Sequence, residues 1–371
     1  MVLSRPGWRA AAVSLSLLTA VGTVGLAPAA TAHERDHRDR DRVRVVATGL
    51  DNPRQMSFSG GALYVAEAGE GGTADCAAGP EGRVCFGKSG SITRVTARGQ
   101  RRVVTGLPSL AGETTGANAI GAGDVKVYGH RYAVLLGLGA DPTSRVGKTP
   151  GYEKLATLST GRLGSSRLRV VADIGAKEIR SNPEPTDLDS NPVGLLSTGR
   201  STYVADAGGN TVYKVGRHGK VRTVAVLPSV PAAGFPDADA VPTSVAQGPD
   251  GALYVSQLTG FPFPVGGSSI WRVVPGHAPT RYATGLTNVT DLAFDRHGHL
   301  YAVQIAANGL LAGEAARGSV VRVRPGHSTH TTILGGLIAP YGIALHDGAA
   351  YVTIHATEKN AGQVLRIPLH H

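Results

Sequence analysis

The chain of 371 residues carries 51 glycines, 22 prolines, few charged or aromatic residues and a formal charge of +10. This composition predicts many turns around one large closed core or two ordinary ones. Its Lys and Arg are spread along the sequence rather than clustered, which excludes a nucleic-acid footprint and leaves anionic wall polymers or headgroups as basic-protein partners.

Residues 1–32 read as a signal peptide. Arg5 and Arg9 precede an apolar stretch from Ala10 to Leu26, and Ala30-Thr31-Ala32 offers the small residues of a cleavage site. Residues 33–42, beginning "HERDHRDRDR", read as a charged, disordered linker, and residues 43–371 as the folded domain. No later apolar run is long enough to span a bilayer, so a secreted, soluble, monomeric product is expected.

The domain repeats itself. An apolar-Tyr-Val/Ala signature recurs at Tyr64, Tyr132, Tyr203, Tyr254, Tyr301 and Tyr351, at intervals of 47 to 71 residues. Before each lies a short apolar run, among them "NPRQMSF", "ANAIGAG", "NPVGLLS" and "VPTSVAQ", then a turn such as "SGGA" or "GPDGA"; each unit thus opens with a β-hairpin. A third run follows in all six units and a fourth in five. The missing one, "RVVATGL", stands alone at Arg44–Leu50. Four-stranded antiparallel units with one displaced strand predict an all-β fold, a six-bladed β-propeller whose last blade is closed by the N-terminal strand. Arg94, Lys214, Arg272, Arg322 and Arg366 share one third-strand position, where aliphatic stems would lie between blades with their heads in water.

Cys76 and Cys85 follow the first hairpin. Two cysteines, closely spaced in an exported chain, read as one local disulfide; a metal site would need more ligands than the nearby Asp75 and Glu81 supply.

In this fold the first strand of each blade lines the channel. The hairpin turns, with His130, His218, His297, His299 and His346, sit on one face and the long connections on the other, where binding is expected. At the second-strand ends stand Glu67, Asp206, Gln257 and Gln304, with His355 one place later in the last blade. At the channel entry stand Asn52, Asn118, Asn191 and Asn288, followed by Arg54 and Tyr341, and "NPEPTDLDSNP" adds Asp189. These oxygens suit a hard cation such as calcium, and equally the capping of loop amides. There is no G-x-S-x-G elbow, phosphate loop or zincin motif.

"VVATGLDNPRQMSFSGGALYVAEAGEGG" (Val45 to Gly72), "DSNPVGLLSTGRSTYVADAGGNTVYKV" and "GQVLRIPL" resemble the ScyD/ScyE family of secreted, NHL-repeat-like proteins over essentially the whole mature chain. The resemblance implies a propeller and export and supplies no catalytic residues; the family's G-L-A-F is replaced here by Gln55-Met56-Ser57-Phe58. It favours a binding module for a small molecule or cell-envelope component. Calcium-dependent lactonase-like hydrolases suggest an alternative, since they use one Glu, one Asp and two Asn, types that Glu67, Asp206, Asn118 and Asn191 supply. Soluble quinoprotein dehydrogenases share the opening "ATGLDNP" but not their histidine base or quinone cluster.

Overall fold

The computed structural model describes residues 42–79, 82–185, 187–199 and 201–369. The expected leader 1–32 and the linker 33–42, apart from Arg42, lie outside the described residues.

β1 (Arg44–Leu50) opens the chain, and blade 1 follows with β2 (Pro53–Ser59), β3 (Ala62–Glu67), β4 (Ala74–Gly79), β5 (Gly82–Thr96) and β6 (Gly99–Gly112). Blade 2 is β7 (Ala122–Tyr128), β8 (Arg131–Leu136), β9 (Thr157–Arg162) and β10 (Arg169–Asp173), which runs into the helix α1 (Ile174–Ser181). Blade 3 is β11 (Pro192–Ser197), β12 (Thr202–Asp206), β13 (Thr211–Val215) and β14 (Val221–Val226). Blade 4 is β15 (Pro242–Gln247), β16 (Leu253–Gln257), β17 (Ser268–Val273) and β18 (Thr280–Leu286). Blade 5 is β19 (Val289–Phe294), β20 (Leu300–Gln304), β21 (Gly318–Arg322) and β22 (Thr331–Leu337). In blade 6, β23 (Ile343–His346), β24 (Ala349–Ile354) and β25 (Gly362–Pro368) are joined by β1, which pairs antiparallel with β25 through Arg44–Arg366 and Val45–Leu365. Inner strands meet their successors in turn, from β2 and β7 round to β23 and β2, so the chain is a six-bladed β-propeller.

Six apolar clusters occupy the six wedges between neighbouring blades, which is why every blade needs two apolar faces. Tyr64, Ile92 and Leu107 of blade 1 meet Val125, Tyr132 and Val134 of blade 2. The last wedge joins Ala47 and Leu50 of β1 to Met56, Leu63 and Val65 of blade 1. Each fully buried Leu or Val contributes about 1.5–3 kcal/mol. The repeat tyrosines face the shared basic position across the second and third strands: Tyr64 opposite Arg94, Tyr203 opposite Lys214, Tyr254 opposite Arg272, Tyr301 opposite Arg322, Tyr351 opposite Arg366. In blade 3 the Lys214 ammonium stands 5.5 Å from the Tyr203 ring centre.

Three local features differ from the sequence reading. The cysteine segment is a hairpin, β4–β5, whose Cys76–Cys85 disulfide bridges it and whose Phe86 packs on Tyr152 and Leu155. The insertion after β10 holds α1, capped by the Asp173 carboxylate accepting from the Ala176 amide. The run "ANAIGAG" is not strand throughout: Asn118 sits at φ +51°, Ile120 makes an isolated bridge to Leu110, and β7 begins only at Ala122.

Candidate functional site

Channel geometry follows from the residues that interrupt the apolar inner strands. Asn52 and Asn288 both occupy φ +47°, a left-handed conformation that Asn tolerates better than most residues, and so turn the chain into β2 and β19. Their side chains tie blades together. Asn52 donates to the Gly69 and Gly116 carbonyls at 2.8 Å each and accepts from the Ala119 amide. Asn288 donates to Leu258 O and accepts from Leu310 N. Gln55 reaches across the axis, donating to Thr243 O of blade 4 at 2.8 Å and to Thr290 O of blade 5. Arg54 donates to Ala356 O and Ala119 O at 2.5 Å each and lies 4.8 Å from the Tyr341 ring centre. Burial lowers the pKa of Arg54 from its usual value and raises that of Tyr341.

Lining one channel pocket with Gln55, two inner-strand carboxylates absent from the sequence expectations face the channel. Asp124 pairs with Lys126 at 2.8 Å and accepts from the Leu195 amide; Asp291 accepts from Ser244 Oγ, Leu292 N and Ile343 N. Each bridges its own inner strand to the next blade. Burial pushes the Asp291 carboxyl up to about 7, and Asp124 is raised for the same reason. Their signal in sequence was an acid inside an apolar run.

The second-strand ends work inside their own blades. Glu67 is fully buried, and its oxygens accept from Ser91 Oγ, Thr93 Oγ1, the Asp51 amide and the Arg102 guanidinium, the last at 2.7 Å. Asp206 accepts from Ser190 Oγ and from the Asn191 and Gly209 amides, while burial pushes its carboxyl up to about 7. Gln257 accepts from Trp271 Nε1 and the Ser269 amide, and Gln304 from the Thr287 amide. His355 pairs with Glu358 at 3.0 Å. Glu67 and Asp206, expected to join Asn118 and Asn191 around a calcium ion, thus share no partner. The lone pairs of Glu67 are spent on blade 1 donors, one of them the Arg102 guanidinium, which would repel a cation.

The structure does bring Arg54, Ile120, Asn191 and Tyr341 together at a mouth pocket of about 90 Å³. Asn191 Oδ1 is buried there without a partner. Asp189 stands apart, packed over Gly208; burial and the nearby Asp187 charge push its carboxyl up to about 6.

A second, wider concavity lies at the hairpin-turn end of blade 2, away from the loop-rich face. It measures about 540 Å³ and is lined by Tyr128, Arg131, Tyr132, Arg162, Arg167 and Arg169, among others. Gly161 is one of its lining residues. Opposite Tyr132 the third strand carries Gly161 where five blades carry Arg or Lys, and a Cβ there would overlap the Tyr132 phenol ring. Among the described residues none of these four arginines meets a carboxylate in an ion pair, and all four are exposed. The break in the basic position was visible in the sequence, but its consequence needed the turn that gathers residues 162–169 beside Arg131.

Comparison of the sequence with protein-family models and with curated proteins gave no match. Solved structures do match in fold. A protein of unknown function from Bacteroides thetaiotaomicron aligns with TM-score 0.52 and 9% identity over 88% of this chain and 75% of that one. A luciferin-regenerating enzyme aligns with TM-score 0.50 and 8% identity over 88% and 95%. A streptogramin B lyase aligns with TM-score 0.47 and 12% identity over 87% and 97%. At such identities the likeness is one of fold.

Proposed function

We propose that the protein is a secreted binding propeller that takes an anionic cell-envelope polymer, phosphate- or carboxylate-bearing, into the arginine groove of blade 2. The observation that carries this reading is the groove itself: about 540 Å³, lined by four exposed arginines that have no acidic partners among the described residues. Guanidinium groups bind phosphate and carboxylate through paired N–H donors, and the half-exposed Tyr128 ring adds a flat apolar platform for a sugar. The ScyD/ScyE resemblance and the leader expected in residues 1–32 support the extracellular setting. On the loop-rich face most of the polar residues are engaged in bonds within their own blades or between blades, which supports a structural role over chemistry there.

The test is titration calorimetry with a purified teichoic acid as probe. Binding that weakens steeply between 50 and 300 mM salt, and falls at least tenfold in Arg131→Glu/Arg169→Glu, is expected. No heat of binding, or an affinity untouched by the double substitution, overturns the reading.

One observation favours a second reading, a metal-dependent hydrolase of lactonase type acting at the mouth: the unpartnered, buried Asn191 Oδ1 beside Arg54 and Tyr341. Calcium-dependent opening of a panel of lactones, abolished in Asn191→Ala, would establish it; no turnover in calcium would end it.

A further inference from the structure

Six buried side-chain polar atoms among the described residues have no hydrogen-bond partner, and four of them are oxygens of residues 178–191: Glu178 Oε1, Asn182 Oδ1, Asp189 Oδ1 and Asn191 Oδ1. All four are acceptors lacking a donor. Asn191 belongs to the mouth; Glu178 and Asp189 lie close enough to act on each other, both against the β12–β13 turn of blade 3, and Asn182 caps the end of α1. Glu178 is completely buried, and its second oxygen accepts the Tyr213 hydroxyl. Asn182 closes α1 in a positive-φ conformation, and its amide nitrogen donates to Asp187 O at 2.8 Å, which leaves Oδ1 as the free end. The two carboxylates rest on neighbouring glycines of the β12–β13 turn. A Cβ at Gly208 would stand 2.7 Å from Asp189 Oδ1, and one at Gly209 3.0 Å from Glu178 Oε2.

A buried carboxylate oxygen without a donor is costly, and two close together cost more, because their charges repel in a poorly screened setting. For Asp189 a hydrogen bond from the Ser190 backbone offsets only part of this, because the charges acting on it are those of Asp187, Asp239 and Asp141. On Glu178 the Tyr213 hydrogen bond and the Lys177 charge act favourably, against the charges of Asp189 and Glu184. Orphaned acceptors, net negative charge and side-chain oxygens from a helix, a helix cap and a loop are the requirements of a hard cation that takes six to eight oxygen ligands.

We propose that Glu178, Asn182 and Asp189 form a calcium site in blade 3, separate from the channel mouth, that pins α1 to the β12–β13 turn. It is independent of the arginine groove. The two adjacent glycines supply the room, since any side chain at either position would enter the space the carboxylates occupy. Calcium rather than magnesium fits ligands of mixed origin, because it accepts irregular geometry.

Terbium luminescence tests the site, because Tyr213, bonded to Glu178, would sensitise a lanthanide held there. Full-length protein freed of metal with EDTA should show tyrosine-excited Tb³⁺ emission that calcium displaces and magnesium displaces poorly. Glu178→Gln and Asp189→Asn, both near-isosteric, should weaken calcium at least tenfold by titration calorimetry. Asn182→Ala, at the rim, gives a third variant should either fail to fold. Tyr213→Phe should lose most of the emission yet still bind calcium. The proposal is overturned if the wild-type protein binds no calcium at millimolar concentration, if the folded ligand variants bind it unchanged, or if emission persists undiminished in Tyr213→Phe.

Discussion

At Gly161 the third strand of blade 2 omits the basic stem that faces the repeat tyrosine in the other blades, and the Tyr132 ring covers the space instead. Tyr132 is 1% exposed and has little freedom to retreat, so Gly161→Ala is expected to cost about 1–3 kcal/mol through overpacking. A lowered urea midpoint with an unchanged slope would check this. Glu67 is a second residue whose role is now local: it collects two hydroxyls, an amide and a guanidinium at the join between β1 and blade 1. Glu67→Ala should destabilise the fold by about 1–3 kcal/mol, because it leaves the buried Ser91 and Thr93 hydroxyls without their acceptor, while the partly exposed Arg102 keeps Asp51. Because the cost is structural, it should appear equally with and without calcium in denaturant titrations.

Elements added to the plain blades carry much of what distinguishes this chain. The β4–β5 hairpin lengthens blade 1, and its disulfide closes a short loop at the periphery, spanning nine positions of sequence. Phe86 anchors its second strand independently of the cystine. Replacing both cysteines by serine should therefore loosen residues 74–79 in hydrogen exchange while lowering global stability by no more than ~2–3 kcal/mol, the chain-entropy value for so short a loop. A collapse of the whole propeller would contradict that partition. The helix α1 depends on its cap, because Asp173 both accepts from the Ala176 amide and pairs with Arg145. Asp173→Ala should cost about 1 kcal/mol and, where the calcium proposal holds, also weaken calcium binding through Glu178.

For the molecule as a whole, closure and buried charge set the limits. β1 covers the free edge of β25 and contributes Ala47 and Leu50 to the wedge between blades 6 and 1. Deleting residues 42–50 should expose that edge and convert soluble protein into oligomers or aggregate on size-exclusion chromatography. Stability should also depend on pH through the channel carboxyls. Asp291, with an ordinary value of 3.8, is raised to about 7 by burial, with the facing Asp124 charge as a smaller contribution. The folded chain holds this proton more tightly than the unfolded one. Its stabilising contribution is therefore complete below the unfolded value near 4 and is lost as pH climbs through about 7. In EDTA the melting temperature should be higher at pH 5 than at pH 8; a steady rise over that interval would refute the assignment.

Much of the fold was legible because a propeller repeats its chemistry. Six tyrosines, five basic partners and a stranded "RVVATGL" encode four-stranded units, since each blade must present apolar side chains to two neighbours. The site was less legible for a physical reason. Glu67, Asp206, Gln257 and Gln304 have the composition of a ligand shell, and only coordinates show which hydrogen-bond donors they meet inside their blades. Sequence alone determined periodicity, strand order and cysteine pairing, because these follow from local pattern and spacing. Tertiary structure alone decided that Gln55 spans the channel, that residues 162–169 meet Arg131 in a basic groove and that α1 brings Glu178 beside Asp189. Each of those depends on which residues distant in sequence share one small volume, and no short-range pattern records that.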